Sequence, residues 1–218
     1  MVIEFFGLPG SGKTSALTMV AQQALRGRSV LGLGTYTHVY TTYQCAGCCK
    51  LNFSALGKYD FTDSLLIIDE ISLYADNRNF KSFSADLLYF FKLHRHYHVD
   101  VIWCSQSFTD ADKKIRDVTD TAYLIEPWFF GITHLKPLVK YFDMSFGKVA
   151  EGVVVAPMSR WVWCYRPKYY KYFDSYSRKS LPAPVLEYWD SIPTVIDDAK
   201  KLSLTSLISS AKSLIHKD

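Results

Sequence analysis

The 218-residue sequence predicts an α/β fold: a central, mostly parallel sheet of five or more strands with helices on both faces, followed by a small aromatic-rich C-terminal extension. Three observations carry this reading. A glycine-rich stretch, Gly7-Leu8-Pro9-Gly10-Ser11-Gly12-Lys13-Thr14, lies between a strand-like run and a helix-like run. An unbroken apolar run, Leu65 to Ile68, ends in the carboxylates Asp69 and Glu70, as in a strand buried on both faces. Strand-like and helix-like segments then alternate along the first 126 residues, the pattern of right-handed crossovers in a doubly wound sheet.

The first element is a short buried strand, Val2 to Phe6. The glycine-rich stretch that follows fits G-x-x-x-x-G-K-[ST] without a mismatch, and the context is the one this motif requires. After it, Leu17, Val20, Ala21, Ala24 and Leu25 recur at helical spacing, and Gly27 supplies the stop. Glycines let backbone N–H groups turn inward around an anion, and the helix start adds a partial positive charge. Gly7, Leu8, Pro9, Gly10, Ser11, Gly12, Lys13, Thr14 and Ser15 are therefore the candidate nucleotide-binding residues. Lys13 is placed to reach the β- and γ-phosphates of a nucleoside triphosphate, and the Thr14 hydroxyl to ligate Mg²⁺. This makes the fold class that of the P-loop NTPases.

Strands are expected next at Ser29–Leu33, Leu65–Glu70, Val99–Gln106 and Thr121–Ile125, with helices around residues 14–26, 84–97 and 109–119. Asp69, at the end of its strand, is the second candidate Mg²⁺ ligand. Glu70, directly after it, can orient or deprotonate a water, which is general-base work; the bland alternative is a solvated strand-end charge. Gln106 ends another apolar strand, where its amide would meet the γ-phosphate or the attacking water, or else satisfy a loop backbone. The active site of such a sheet lies at the C-terminal edge of its strands.

Composition narrows the class. At 49% hydrophobic and 16% aromatic residues the chain can close a sizeable core, so disorder is excluded for most of it. A net charge of +4 is too mild to encode strong nucleic-acid attachment by composition alone. The five cysteines include Cys104 and Cys164 in apolar strand-like runs, a pattern of reduced thiols and hence of a cytoplasmic protein. No stretch reads as a signal peptide, and no run of about 18 apolar residues is present to span a bilayer. The chain is expected to be soluble, with any membrane segment of a longer protein lying outside it.

The run Phe91-Lys92-Leu93-His94-Arg95-His96-Tyr97-His98-Val99-Asp100-Val101-Ile102, with Gln106, Asp112-Lys113-Lys114-Ile115-Arg116 and the late Tyr172-Phe173-Asp174-Ser175-Tyr176, resembles the zonula occludens toxin (Zot) domain family. That family includes the morphogenesis ATPases of filamentous phages. The resemblance spans about residues 1–178 and implies a relative of the FtsK/HerA motor ATPases. It implies ATP rather than GTP as substrate, no N-K-x-D motif being present to read guanine. It also implies a homo-oligomer that drives extrusion of phage DNA, more readily single-stranded, in virion assembly. Its partners would be membrane-associated assembly proteins and its place the cytoplasm, peripheral at the inner membrane of a bacterial host. Alternatives are a genome-packaging ATPase of an icosahedral phage, an ATP-binding scaffold, and a small-molecule kinase.

An oligomeric ATPase needs a cation at the γ-phosphate. Arg95 matches the family motif and is the first candidate, ahead of Arg116 and Arg78; a helix-end salt bridge is the competing reading for each. His94, His96 and His98 are read as packed or capping residues rather than metal ligands. Cys45, Cys48 and Cys49 form a cluster that holds a C-x-x-C pair but lacks a second pair to complete a zinc site. Organisation is expected as an ATPase core over 1–126, a strand-rich extension over 127–180, and a proline-containing linker with an amphipathic helix over 181–218. In the extension, Trp161, Trp163 and Tyr165 alternate. Either one strand face is buried, or aromatics and cations stack bases and neutralise phosphates of single-stranded DNA.

Overall fold

The computed structural model describes residues 1–75, 85–107, 111–143, 150–155 and 161–174, with the backbone alone for 139–143 and 150–155. All of these belong to one compact unit, Met1–Ser177. Arg78, Ser175, Tyr176, the proline-containing stretch 181–193 and the terminal apolar stripe lie outside the described residues.

Nine strands form one sheet, in the order β3-β2-β4-β5-β1-β6-β7-β8, with β9 also paired to β7. The parallel part comprises β1 (Val2–Phe6), β2 (His38–Thr41), β3 (Cys49–Lys50), β4 (Ser64–Ile68), β5 (Asp100–Ser105) and β6 (Thr121–Pro127). Antiparallel β7 (Ile132–Asp143), β8 (Ala150–Val155) and β9 (Val162–Tyr165) extend it from β6. β7 pairs with β9 over Ile132–Leu135 and with β8 over Leu138–Asp143. Pro137, which has no N–H to give, sits where the strand changes partner.

Period-2 alternation in the buried strands divides the core between two faces. Ile3, Phe5, Leu65, Ile67, Ile102 and Cys104 pack under α1 (Lys13–Ala24) through Leu17, Val20 and Ala21. Val2, Leu66, Ile68, Val101 and Trp103 face α2 (Ala85–Leu93) and α3 (Lys113–Asp117) through Leu87, Phe90, Phe91 and Ile115. Helices thus cover both faces, as the alternation of the sequence implies. α1 closes where expected: Gly27, at φ 65°, gives its N–H to Ala24, and Arg28 gives its own to Gln23, the paired bonds of a Schellman stop.

Ser29–Leu33 is not a strand. Leu31 and Gly32 both have positive φ, 59° and 76°, and the Leu33 N–H returns to the Val30 carbonyl at 3.1 Å, so the segment is a tight turn. The second strand is instead His38–Thr41, which pairs with β4. The helix expected over 84–97 ends at Leu93 and continues as a 3₁₀ turn, His94–Tyr97, closed by His98 at φ 52°. That change of winding breaks the i, i+4 spacing of His94 and His98.

His94 is buried, with its Nδ1 2.7 Å from the Phe91 carbonyl oxygen and no hydrogen-bond partner on Nε2 among the described residues. Burial, more than the neighbouring N-terminus and Arg95, holds its pKa below the ordinary value, against the opposing pull of Phe91 and Asp120. A histidine depressed in the fold is neutral there and takes up its proton first in the unfolded chain. Stability is therefore full above about pH 6.5 and falls as pH drops through that value. Urea midpoints measured from pH 7.5 to 5 should show this slope, and His94→Gln should flatten it; an unchanged slope would remove His94 as its source.

Candidate functional site

The phosphate loop joins β1 to α1 at the C-terminal edge of the parallel strands. Gly10 and Gly12 both take positive φ, 76° and 98°, which allows the loop to double back before α1 begins. The Ser11 N–H closes on the Leu8 carbonyl at 3.1 Å and the Ala16 N–H on that of Gly12 at 2.9 Å. Lys13 Nζ donates to Gly7 O at 2.7 Å and to Leu8 O at 3.1 Å, which holds the ammonium against its own loop. The loop is buttressed from β7: buried Thr133 donates through Oγ1 to Ser11 O at 3.0 Å.

Asp69 and Glu70 follow β4 directly. Thr14 Oγ1 donates to Asp69 Oδ2 at 2.9 Å, so the two predicted Mg²⁺ ligands stand side by side as hard oxygen donors, a set that fits this cation. Asp69 is fixed from two more directions, by its N–H on Thr42 Oγ1 at 2.9 Å and by the Cys104 thiol donating to Oδ1 at 2.7 Å. Burial first, and the Asp69 charge second, push the Cys104 thiol up, so it stays a protonated donor. The Glu70 N–H in turn reaches Cys104 Sγ at 3.3 Å. One buried thiol thus positions both acidic residues, a role that the apolar run around Cys104 does not disclose.

Glu70 adopts φ 54°, ψ 72°, a left-handed conformation rare outside glycine and characteristic of functional sites. Its carboxylate is oriented by Ser72, which donates to Oε1 at 2.7 Å, and by Gln106, whose Nε2 donates to Oε2 at 3.3 Å. Gln106 is thus brought to the site from the end of β5, where it takes the Glu70 carboxylate as partner rather than a loop backbone.

Arg95 is not brought to this site. It forms an ion pair with Asp120, which also accepts the Val2 N–H at 2.8 Å, at the start of β1. A five-residue strand separates that edge from the phosphate loop by about 16 Å. The residue precedes β5, and in a parallel sheet such positions lie at the N-terminal edge. Arg116 is also engaged elsewhere, its Nε donating to Ala111 O at 3.2 Å.

Among the described residues a second cation beside Lys13 stands at the loop: Arg166, which the sequence alone does not single out. β9 is antiparallel to β7, and β7 to β6, so β9 runs with the parallel strands and ends at their C-terminal edge. Arg166 follows it immediately. With Tyr170, Phe173 and Asp174 it lines a cleft of about 740 Å³ whose other side is Gly10 and Gly12 to Ser15.

The cysteine cluster is divided by burial: Cys45 is buried, Cys48 half-buried and Cys49 exposed, and all are free thiols. A hydrogen bond with Cys48 lowers the Cys45 thiol to about 7. Among the described residues no group of three or more metal-ligating side chains is assembled.

Most aromatics of residues 128–165 face outward, whereas Tyr169 is buried. In β9 it is Cys164 that is buried, whereas Trp163 and Tyr165 are 55% and 54% exposed, so the alternation reflects a strand whose small residues point inward. Trp128, Trp161 and Trp163 surround the His134 ring, and Phe130 is 92% exposed at φ 55°. No described helix is long and apolar enough to cross a membrane.

Residues 46–179, well over half of the chain, match the family model for Zonular occludens toxin (Zot). The match begins beyond the phosphate loop and so does not depend on it. Among solved structures, the N-terminal domain of zonular occludens toxin from Neisseria meningitidis is similar at 16% identity and a TM-score of 0.46, over 79% of this chain and 98% of that one. The genome packaging NTPase of Sulfolobus turreted icosahedral virus 2, in complex with AMPPCP, is similar at 12% identity and 0.43, over 56% and 73%. The flagellar accessory protein FlaH of Methanocaldococcus jannaschii is similar at 16% identity and 0.44, over 70% and 89%. No curated protein sequence matches the chain.

Proposed function

The chain belongs to the Zonular occludens toxin (Zot) family, and from this premise we propose that it is a P-loop ATPase that hydrolyses ATP with Mg²⁺ to move phage DNA during virion assembly. The observation that carries the hydrolytic reading is Glu70. A carboxylate held in a left-handed backbone and oriented by Ser72 and Gln106, one residue from the Asp69–Thr14 pair, is arranged to accept a proton from water. A strand-end charge that merely faces solvent has no need of that strain or of two dedicated donors.

Thr14 and Asp69 would hold the metal, which when bound neutralises charge on the phosphates. The loop N–H groups and Lys13 would bind the phosphate chain, Glu70 would take the proton of the attacking water at a carboxylate oxygen, and Gln106 would keep that carboxylate turned toward it. Cys104, donating to Asp69 and accepting from Glu70, keeps the two acids in fixed relation. The finger role expected of Arg95 requires a neighbouring copy, since Arg95 lies at the opposite edge of its own sheet. We therefore place the working form as a homo-oligomer, acting on DNA beside membrane-associated assembly proteins.

Phosphate release measured with Mg²⁺ or with chelator, with single-stranded or duplex DNA, and over a range of protein concentration tests each part. Release should need Mg²⁺, rise more than linearly with concentration, and be stimulated by single-stranded DNA; Lys13→Ala should abolish it. Stimulation by duplex alone would favour genome packaging over extrusion. Mg²⁺-independent release, or none from the parent, would end the ATPase reading.

A further inference from the structure

We propose that the segment after β9 is the second wall of the nucleotide site: Arg166 binds the phosphate chain in cis, and Tyr170 with Phe173 receives the purine of a nucleoside triphosphate. This rests on the ATP-binding reading above and extends it to residues that neither motif contains.

Position comes first. A Cβ built on Gly12 would stand 2.8 Å from Arg166 Cδ, so the arginine stem lies directly against the phosphate loop. The Arg166 Nε donates to Gly131 O at 3.3 Å, and among the described residues its two Nη groups have no partner, which leaves the planar fork for an anion. Pro167 follows and packs on Gly131, where a Cβ would meet its ring at 3.1 Å. A fixed proline φ and this contact limit how far the arginine can swing. A triphosphate carries more negative charge than one lysine neutralises, so a second cation on the same loop has a defined task.

The aromatic part is anchored as a wall rather than as a loose tail. Phe173 bridges to Cys45, the Ala46 N–H donates to Tyr172 O at 2.8 Å, and Arg26 at the end of α1 donates to the Tyr172 hydroxyl at 3.1 Å. Gln22 of α1 holds Ala46 O at 2.7 Å, so the cysteine loop clamps the wall to the helix that begins at the phosphate loop. On the cleft side the Tyr170 and Phe173 rings stand 6.3 Å apart at 67°, and Tyr170 is half exposed. A cleft of about 740 Å³ lined by the phosphate-loop residues, Arg166 and this aromatic pair offers both kinds of group a nucleotide needs, and the volume is within the range of about 300–1,000 Å³ of ligand clefts. The late Tyr172-Phe173-Asp174 element thereby acquires a task beside the nucleotide. Ring stacking tolerates either purine, so the pair sets affinity for the base rather than a choice of adenine.

Titration calorimetry with two probes separates the parts: ATPγS, which carries a base, and inorganic tripolyphosphate, which does not. Arg166→Ala should weaken both about tenfold, with partial recovery in Arg166→Lys, because a point charge replaces a fork. Tyr170→Ala should weaken ATPγS about tenfold and leave tripolyphosphate within about twofold, whereas Tyr170→Phe should bind both as the parent does. Tyr170 is half exposed, so its variants keep the fold and the test stands even where an Arg166 variant does not. Parent-like binding of both probes by Arg166→Ala and Tyr170→Ala overturns the wall while leaving the ATPase reading intact. A parent that binds neither probe sinks the ATPase reading itself, and this one with it.

Discussion

Glu70→Gln is expected to hold nucleotide about as tightly as the parent while lowering turnover by about 10²- to 10⁴-fold, the range ascribed to a positioned general base. The amide keeps the size of the carboxylate and the residue-70 N–H keeps its bond to Cys104 Sγ, so the left-handed turn at residue 70 should survive. What it cannot do is take a proton. Ser72 and Gln106 donate to different oxygens of the carboxylate, so the single amide oxygen turns to Gln106 Nε2 while the new NH₂ group donates to the Ser72 hydroxyl, which can accept. Nucleotide retention on a desalting column, read beside single-turnover phosphate release, checks both halves. Turnover within about threefold of the parent would remove Glu70 from the chemistry and return it to a structural role in the strained turn.

The parts of this site that the sequence discloses are those whose geometry is local. The phosphate loop declares itself through Gly10, Gly12 and Lys13 because each answers to a backbone or charge requirement within eight residues, and the acids declare themselves by ending a run, Leu65–Ile68, that is buried at every position. Helices on both faces follow from alternation, and the observed packing of α1 against one face and of α2 and α3 against the other is that pattern in space. What stays hidden depends on which end of the sheet a residue meets. Arg95 and Arg166 look alike as arginines beside strands, yet one precedes β5 and the other follows β9. Only the pairing directions decide, and β9 reaches the active edge through two antiparallel reversals that no local pattern encodes. Residues before a parallel strand lie at its N-terminal edge, a rule that argues against Arg95 serving its own site. Cys104 is hidden for another reason: in an apolar strand a thiol reads as core, and only its 2.7 Å contact to Asp69 shows it as a donor. The short strand His38–Thr41 is missed because four half-polar residues carry less signal than the turn-forming Val30–Leu33 before it.

Gly12→Ala should cost clearly more than Gly10→Ala, and the surroundings of the two glycines show why. Both residues take positive φ, so each alanine pays about 1–2 kcal/mol of backbone strain. At Gly10 that is all, because nothing stands within 4 Å of the added methyl. At Gly12 the methyl would lie 2.5 Å from Thr133 Oγ1 and 2.8 Å from Arg166 Cδ. Thr133 is buried and β-branched, and moving it breaks the bond that buttresses Ser11, while moving Arg166 withdraws the cation from the loop. The expected result is a melting temperature lower by about 5–10 °C and ATPγS binding weaker by at least about a hundredfold, against about 2–6 °C and no more than about tenfold for Gly10→Ala. Scanning calorimetry and titration of the two variants in parallel give both numbers. Equal losses would mean that β7 and the segment after β9 do not brace the phosphate loop, and that its shape is set by the glycines alone.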